Sequence, residues 1–199
     1  VEDKLREKGL DYDVINGGVC AYGLDQMYLW FLEHEAIFKP DIVVLGLINA
    51  LDRVVMCRWY TGHGKPRYRL VMDRLVLTNV PTPQRVPPGK TFRDWANTFF
   101  DSNKSYLVDF LSAKLHLKIS SSGKEESLQI AQKILKEFSR ECEKNNAKFL
   151  VVLIGEVPGI KEFLQKNEID YTDCSEVFQG QEDLYLENDG HPTPHGHNL

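Results

Sequence analysis

Two short, almost continuously apolar segments constrain the fold of this chain more than any other feature. They are residues 41–48 and 149–154. Segments of this kind are typical of parallel strands, because helices pack on both sides of a parallel sheet and leave no polar face. Helical patterns alternate with these strands along the chain. The alternation favours the α/β class, with a doubly wound parallel sheet.

Two further strands and several helices are predicted around them. Residues 12–16 are rich in β-branched side chains and run into Gly17–Gly18, which indicates a strand that enters a turn. Residues 169–173 are predicted as the last strand. The spacing of apolar side chains predicts helices over residues 25–38, 106–117, 125–142 and 160–166. The apolar face of the third helix is formed by Leu128, Ala131, Ile134, Leu135 and Phe138.

The middle of the chain departs from this alternation. Residues 68–72 and 75–78 flank Asp73–Arg74, which predicts an antiparallel hairpin. Four prolines follow closely and indicate an extended, irregular path: Pro81, Pro83, Pro87 and Pro88. We interpret residues 56–98 as an insertion beside the main sheet, within a single domain that spans residues 1–199.

The composition narrows the classes of protein and of partner. A length of 199 residues, 42% of them hydrophobic and 27% charged, is typical of one globular domain. The net charge of -5 and the scattered Lys and Arg residues argue against nucleic acid as the main partner. No apolar run reaches the roughly 18 residues of a membrane span. The cysteines form no CxxC pair and are predicted to be reduced: Cys20, Cys57, Cys142 and Cys174.

Ligands of open α/β sheets bind beyond the carboxyl ends of the strands, so the residues that follow the strands are the candidates for a site. Residues 16–26 are rich in glycine and could expose backbone N–H groups to a ligand or form a tight turn. Asn49 could donate its amide to an oxyanion or cap the next turn. Near the end of the sequence, His191 with Asp189 has the components of a general base and its orienting carboxylate.

These three segments, taken in this order, resemble the SGNH (GDSL-type) hydrolase family. The resemblance implies a flavodoxin-like, three-layer α/β/α fold and serine ester hydrolysis without a cofactor. It implies that His191 deprotonates the serine nucleophile and that Asp189 orients His191. It also implies that the side chain of Asn49 and the backbone N–H of Ala21 donate to the oxyanion.

Three positions depart from the pattern of that family. The orienting Asp commonly precedes the His by three residues, and this position holds Asn188, whereas Asp189 precedes His191 by two. Ala21 stands where the family usually has Gly. Ala50 follows Asn49 where the family often has Asp. The first departure leaves two candidates for the orienting residue.

The nucleophile itself is missing from the sequence. The family carries it in a Gly-Asp-Ser motif after its first strand, and this chain contains no such motif. Residues 12–16 correspond to the second strand, and the order 2-1-3-4-5 places the first strand between the second and the third. Each buried backbone group left unpaired there would cost about 1–3 kcal/mol. We therefore expect the chain to be incomplete, with the strand and its serine upstream of Val1; Cys20 is a poor substitute.

Other functions remain open at this stage. His191, His195, His197 and Asp189 could bind a metal ion. The departures at Ala21 and Asp189 would also suit a catalytically inactive relative that binds a glycan or a protein, and an acyltransferase would use the same groups. A small-molecule or carbohydrate acyl ester is the expected substrate, since Trp59, Tyr60 and Trp95 could stack on a sugar. The oligomeric state and the compartment are left open.

Overall fold

A computed structural model describes residues 1–19, 22–48, 59–60, 63–82, 120–155, 157–175 and 193 of the protein. The helices are α1 (Glu2–Glu7), α2 (Leu24–Phe38), α3 (Ser120–Lys144) and α4 (Ile160–Lys166). The strands are β1 (Ile42–Ile48), β2 (Trp59–Tyr60), β3 (His63–Gly64), β4 (Arg67–Val71), β5 (Arg74–Thr78), β6 (Lys148–Ile154) and β7 (Asp170–Asp173). Among these residues, no helix has the length and apolarity needed to cross a membrane.

The main sheet has three strands in the order β1-β6-β7, and both pairings are parallel. β1 and β6 pair over their full length, from Ile42 opposite Lys148 to Ile48 opposite Ile154. The α/β class and the parallel sheet are therefore confirmed. Three strands in this order agree with one half of a flavodoxin-like sheet, whereas the five-strand order stays a prediction.

One face of this sheet is packed against helices α2, α3 and α4. The side chains of Leu47, Val151 and Leu153 point to this face and are buried. Phe149 stacks on Phe138 of α3, with ring centroids 4.9 Å apart. The predicted apolar face of α3 is confirmed, since Ala131, Ile134, Leu135 and Phe138 are buried and Leu128 packs at their edge. Burial of each large aliphatic side chain stabilises the fold by about 1.5–3 kcal/mol.

The opposite face of the sheet is exposed along β1. Val44 is 60% exposed and Ile48 is 61% exposed, and Ile42 is also largely open to solvent. The prediction that residues 41–48 are buried on both faces is therefore wrong for the described part of the chain. The reason is that α2, α3 and α4 all contribute to the same face.

The predicted strand over residues 12–16 is also wrong. This segment is extended but irregular and pairs with no strand among the described residues. The N–H of Val14 instead donates to Glu2 Oε2 over 3.1 Å. A strand exists only where a neighbour accepts its backbone hydrogen bonds, so β-branched composition alone does not produce one. Gly17 lies directly on α2, because a Cβ at this position would come within 2.7 Å of the Trp30 ring.

The predicted hairpin is confirmed, with its turn one residue earlier than expected. Val71 pairs with Arg74, so the two turn residues are Met72 and Asp73 rather than Asp73 and Arg74. Their φ angles are 49° and 60°. Two positive φ angles define a type I′ turn, whose twist matches that of the flanking strands. This hairpin and the short β2-β3 pair lie outside the main sheet, as an insertion would. The boundaries 56–98 of the insertion stay a prediction.

The remaining helix and strand predictions that fall on described residues are close to the observed bounds, whereas the helix predicted over residues 106–117 lies outside them. α2 ends at Phe38, where Lys39 takes a left-handed φ of 44° before Pro40. α4 has the predicted bounds, and α3 begins at Ser120, five residues before the predicted start. Cys142 is buried and Cys174 is half-buried, and both are free thiols. Cys20 and Cys57 lie outside the described residues.

Candidate functional site

The carboxyl ends of the parallel strands define where a ligand of this sheet would bind. β1 ends at Ile48 and β6 ends at Ile154, and these two residues are opposite each other in the register. β7 ends at Asp173, opposite Leu153. The three strands therefore end at one level, which we call the carboxyl edge.

Three helices run back from the sheet towards this same edge. Each of α2, α3 and α4 is joined to the strand that follows it by a three-residue link, at residues 39–41, 145–147 and 167–169. Each helix consequently runs back along its strand, towards the strand's carboxyl end. α2 has 15 residues and rises by roughly 22 Å, about the length of the seven-residue β1. The N-terminus of α2 thus lies near the edge, and the positive end of its dipole favours developing negative charge there.

The predicted catalytic residues lie outside the described part of the chain. These are Ala21, Asn49, Asp189 and His191, together with the alternatives Cys20, Asn188, His195 and His197. Asn49 is the next residue after Ile48 in the sequence, and Ala21 is two residues before the N-cap of α2, Gly23. Of residues 189–197 only Thr193 is described. Trp59 and Tyr60 form β2, whereas Trp95 lies outside the described residues.

The turn on either side of Ala21 is held by local hydrogen bonds. The N–H of Gly18 donates to Asn16 Oδ1 over 2.9 Å, and the N–H of Tyr22 donates to the carbonyl of Val19 over 3.2 Å. The N–H of Gly23 donates to Gln26 Oε1 over 3.4 Å and closes the start of α2. These bonds hold residues 16–19 and 22–23 in front of the helix, and the tight-turn interpretation of the whole segment stays a prediction. An anion-binding role for the same turn is compatible with them and stays a prediction.

A buried ion pair that the sequence analysis missed lies at the start of α2. Asp25 is 0% exposed and Lys65, just before β4, is 2% exposed; Lys65 Nζ donates to Asp25 Oδ2. Asp25 Oδ1 accepts the N–H of Gln26 over 3.0 Å. Burial raises the pKa of the Asp25 carboxyl, and the charge of Lys65 partly offsets this rise. Only the position of Asp25 in a first helical turn was visible in the sequence, and nothing there indicated Lys65.

A second polar cluster follows β7 at the carboxyl edge. Lys161 Nζ donates to Asp173 Oδ2 over 2.6 Å, and the hydroxyl of Ser175 donates to Asp173 Oδ1 over 2.5 Å. The N–H of Ser175 also donates to Asp173 Oδ1 over 3.0 Å. These bonds, first that of Lys161 and then those of Ser175, hold the pKa of Asp173 well below its usual range. Both donors of Ser175 thus close the turn that follows β7, and the cluster caps this turn.

The described residues hold no group of three or more His, Cys, Asp and Glu side chains that could bind a metal ion. The histidines of the metal-site alternative, which are His191, His195 and His197, lie outside this part of the chain. The described geometry therefore provides an oriented sheet edge with helix N-termini, a buried charge pair and a capping cluster.

Comparisons with protein-family models, with curated proteins and with solved structures found no match to this chain. The resemblance to SGNH hydrolases accordingly rests on the motifs around Ala21, Asn49 and His191.

Proposed function

We propose that this chain is most of the catalytic domain of a serine ester hydrolase with a flavodoxin-like, three-layer fold. His191 is the general base and Asp189 its orienting carboxylate. Asn49 and the N–H of Ala21 bind the oxyanion, and the serine nucleophile lies upstream of Val1. The observation that supports this most is that β1 ends at Ile48, directly before Asn49, at the carboxyl edge of a parallel sheet.

The reaction follows from these roles. His191 accepts the serine proton as the serine oxygen attacks the ester carbonyl carbon. The carbonyl oxygen becomes an oxyanion and accepts hydrogen bonds from Asn49 and Ala21. When the carbon–oxygen bond to the alcohol breaks, the leaving oxygen takes the proton from His191. Water then hydrolyses the acyl-serine by the same two steps, and the free acid and the serine are released.

The exposed side of β1 supports an upstream strand. Among the described residues, β1 pairs along one edge only, with β6. Its open face carries Val44 and Ile48, while Val14 and Ile15 of the irregular segment are exposed as well. A strand beside β1 would satisfy the backbone groups along its open edge, and the helix that connects this strand would cover the exposed apolar side chains. In the proposed fold this strand ends at the nucleophile.

A generic ester substrate tests the proposal in the full-length protein. We expect the wild type to hydrolyse p-nitrophenyl acetate and His191→Ala to lower kcat by about a thousandfold or more, because the serine then has no base. His195→Ala is the matched control, since this histidine has no role in the proposed mechanism, and it should keep the wild-type kcat. Stopped assays with folded protein, verified by circular dichroism, give the comparison.

Covalent labelling identifies the nucleophile independently of the substrate. A fluorophosphonate should modify one serine upstream of Val1 in the wild type and label His191→Ala far more slowly, as judged by mass spectrometry of the digested protein. Labelling within residues 1–199 would contradict the proposed nucleophile. If the folded wild type shows neither hydrolysis nor labelling, the proposal of an ester hydrolase is wrong. The alternative that then stands is a catalytically inactive relative that binds a ligand. Asp189→Asn against Asn188→Ala then identifies the orienting residue.

A further inference from the structure

The hairpin β4-β5 packs on the core through Tyr68, Leu70 and Leu75, and it makes two ion pairs of opposite character with the helices. At its base, Lys65 makes the buried ion pair with Asp25 of α2. At its tip, Asp73 accepts from Lys133 of α3 over 2.9 Å, and Asp73 is 86% exposed. An exposed pair such as the one at the tip contributes little to stability. Of the two ion pairs, the one at the base is therefore the one with structural consequences.

The base of the hairpin is built around Lys65. Asn79 Nδ2 donates to the carbonyl of Lys65, so the chain that enters the hairpin is tied to the chain that leaves it. Thr78 Oγ1 donates to the carbonyl of Arg67 over 3.0 Å and adds a second tie. The Tyr68 ring lies 6.1 Å from the Tyr28 ring of α2, one helical turn after Asp25. The base and the first turns of α2 thus form one packed unit.

This unit lies at the carboxyl edge. Asp25 is two residues after the N-cap of α2, and α2 begins level with the end of β1. Tyr22 and Gly23 directly precede this first turn of α2, and the N–H of Tyr22 ties them to Val19. A displacement of Asp25 would therefore move Tyr22 and Gly23, which directly follow Ala21 in the sequence. It would also move the hairpin base relative to the end of β1.

A buried ion pair is a poor choice for stability alone, because two apolar side chains of similar size would stabilise a fold equally or better. What an ion pair adds is a specific geometry, since the ammonium and the carboxylate must meet each other. We propose that Asp25 and Lys65 are positioning residues, which fix the hairpin base and the segment in front of α2, described at residues 16–19 and 22–23, at the carboxyl edge. The expected change in kcat rests on the proposed function. The expected change in amide hydrogen exchange does not depend on it.

A double-mutant cycle in the full-length protein tests this role. The variants are Asp25→Asn, Lys65→Met and the double variant, which leaves no uncompensated buried charge and should fold if a single variant does not. We expect amide hydrogen exchange at Gly18, Tyr22 and Gly23 to become about tenfold faster in each of them. We expect kcat to fall by about tenfold to a hundredfold at nearly constant KM, because the oxyanion donors are displaced. The double variant should be no worse than the worse single variant.

The exposed pair at the tip provides the control. Asp73→Asn, Lys133→Met and their double variant should leave exchange at the turn and both kinetic constants at their wild-type values. Wild-type exchange and wild-type kcat in the Asp25→Asn/Lys65→Met protein would overturn the positioning role and leave a structural one. If the wild type shows no esterase activity, the proposed function fails. Hydrogen exchange at Gly18, Tyr22 and Gly23 then still decides the inference.

Discussion

The two faces of β1 differ in their surroundings although they are equally apolar in sequence. Leu47 is 2% exposed beneath the helices, whereas its neighbour Ile48 is 61% exposed on the other side. Successive strand residues point to opposite faces, so the two side chains report the two faces at almost the same place. Both faces of β1 are apolar enough to be buried, but the helices of the described chain cover only one of them.

The direction of the connections explains why one face is covered. The chain proceeds from β1 to β6 and then to β7, so each new strand is added towards the same edge of the sheet. Crossovers between parallel strands are right-handed in nearly all proteins, so successive connections in one direction place their helices on one face. Covering the other face requires a connection in the opposite direction. The proposed upstream strand on the far side of β1, with its connection, would provide it.

The covered face gives the largest expected effect on stability. Leu47→Ala removes a fully buried side chain between the sheet and the helices, and it should lower the free energy of unfolding by about 3 kcal/mol. Urea denaturation of the full-length protein measures this. A loss below about 1 kcal/mol would mean that the helices do not pack on this face as described.

The neighbouring position on the open face sharpens the comparison. A side chain as exposed as Ile48 normally contributes no more than about 0.5 kcal/mol. If an upstream segment covers this face, as we propose, Ile48→Ala should instead cost about 2 kcal/mol in the full-length protein. The same urea denaturation gives the value. A cost near that of a surface residue would remove the support that this face lends to the proposed fold.

Two glycines with nearly equal φ allow the cost of packing to be separated from the cost of backbone strain. The difference between their alanine variants is the smallest effect that we predict. Gly9 has a φ of +75° with nothing within 4 Å of an added Cβ, whereas Gly159 has a φ of +79° and its Cβ would lie 2.8 Å from Leu128 Cδ2. Alanine at either position should cost about 1 kcal/mol of backbone strain. Gly159→Ala should cost about 1 kcal/mol more, because α4 meets α3 there on the covered side. Equal costs would mean that this contact is loose.

The helices and strands that are marked by a local pattern of apolar residues could be predicted from the sequence. The apolar runs of β1 and β6 and the 3.6-residue spacing in α3 mark their own limits, because burial selects the side chains directly. The segment over residues 12–16 failed, since a strand also needs a partner and composition does not supply one. The hairpin turn shifted to Met72 and Asp73 because the twist of the paired strands, rather than residue preference, selected the type I′ geometry.

The site divides in the same way. The position of Asn49 directly after a strand could be read from the sequence, because the strand end was visible. The pairing of Asp25 with Lys65 could not, since 40 residues separate them and each side chain has an ordinary exposed alternative. The capping role of Asp173 likewise depends on Lys161 and Ser175 meeting it in space.

The sequence by itself determined the α/β class, the parallel strands and the helix that carries Phe138, because periodic burial leaves a mark on every residue of an element. The tertiary structure alone decided which face of β1 the helices cover. It also decided which charges are buried together at the start of α2. Both outcomes depend on how distant segments meet, and the physical reason is that neither chain direction nor the partner of a charge is encoded in the periodicity of a single element.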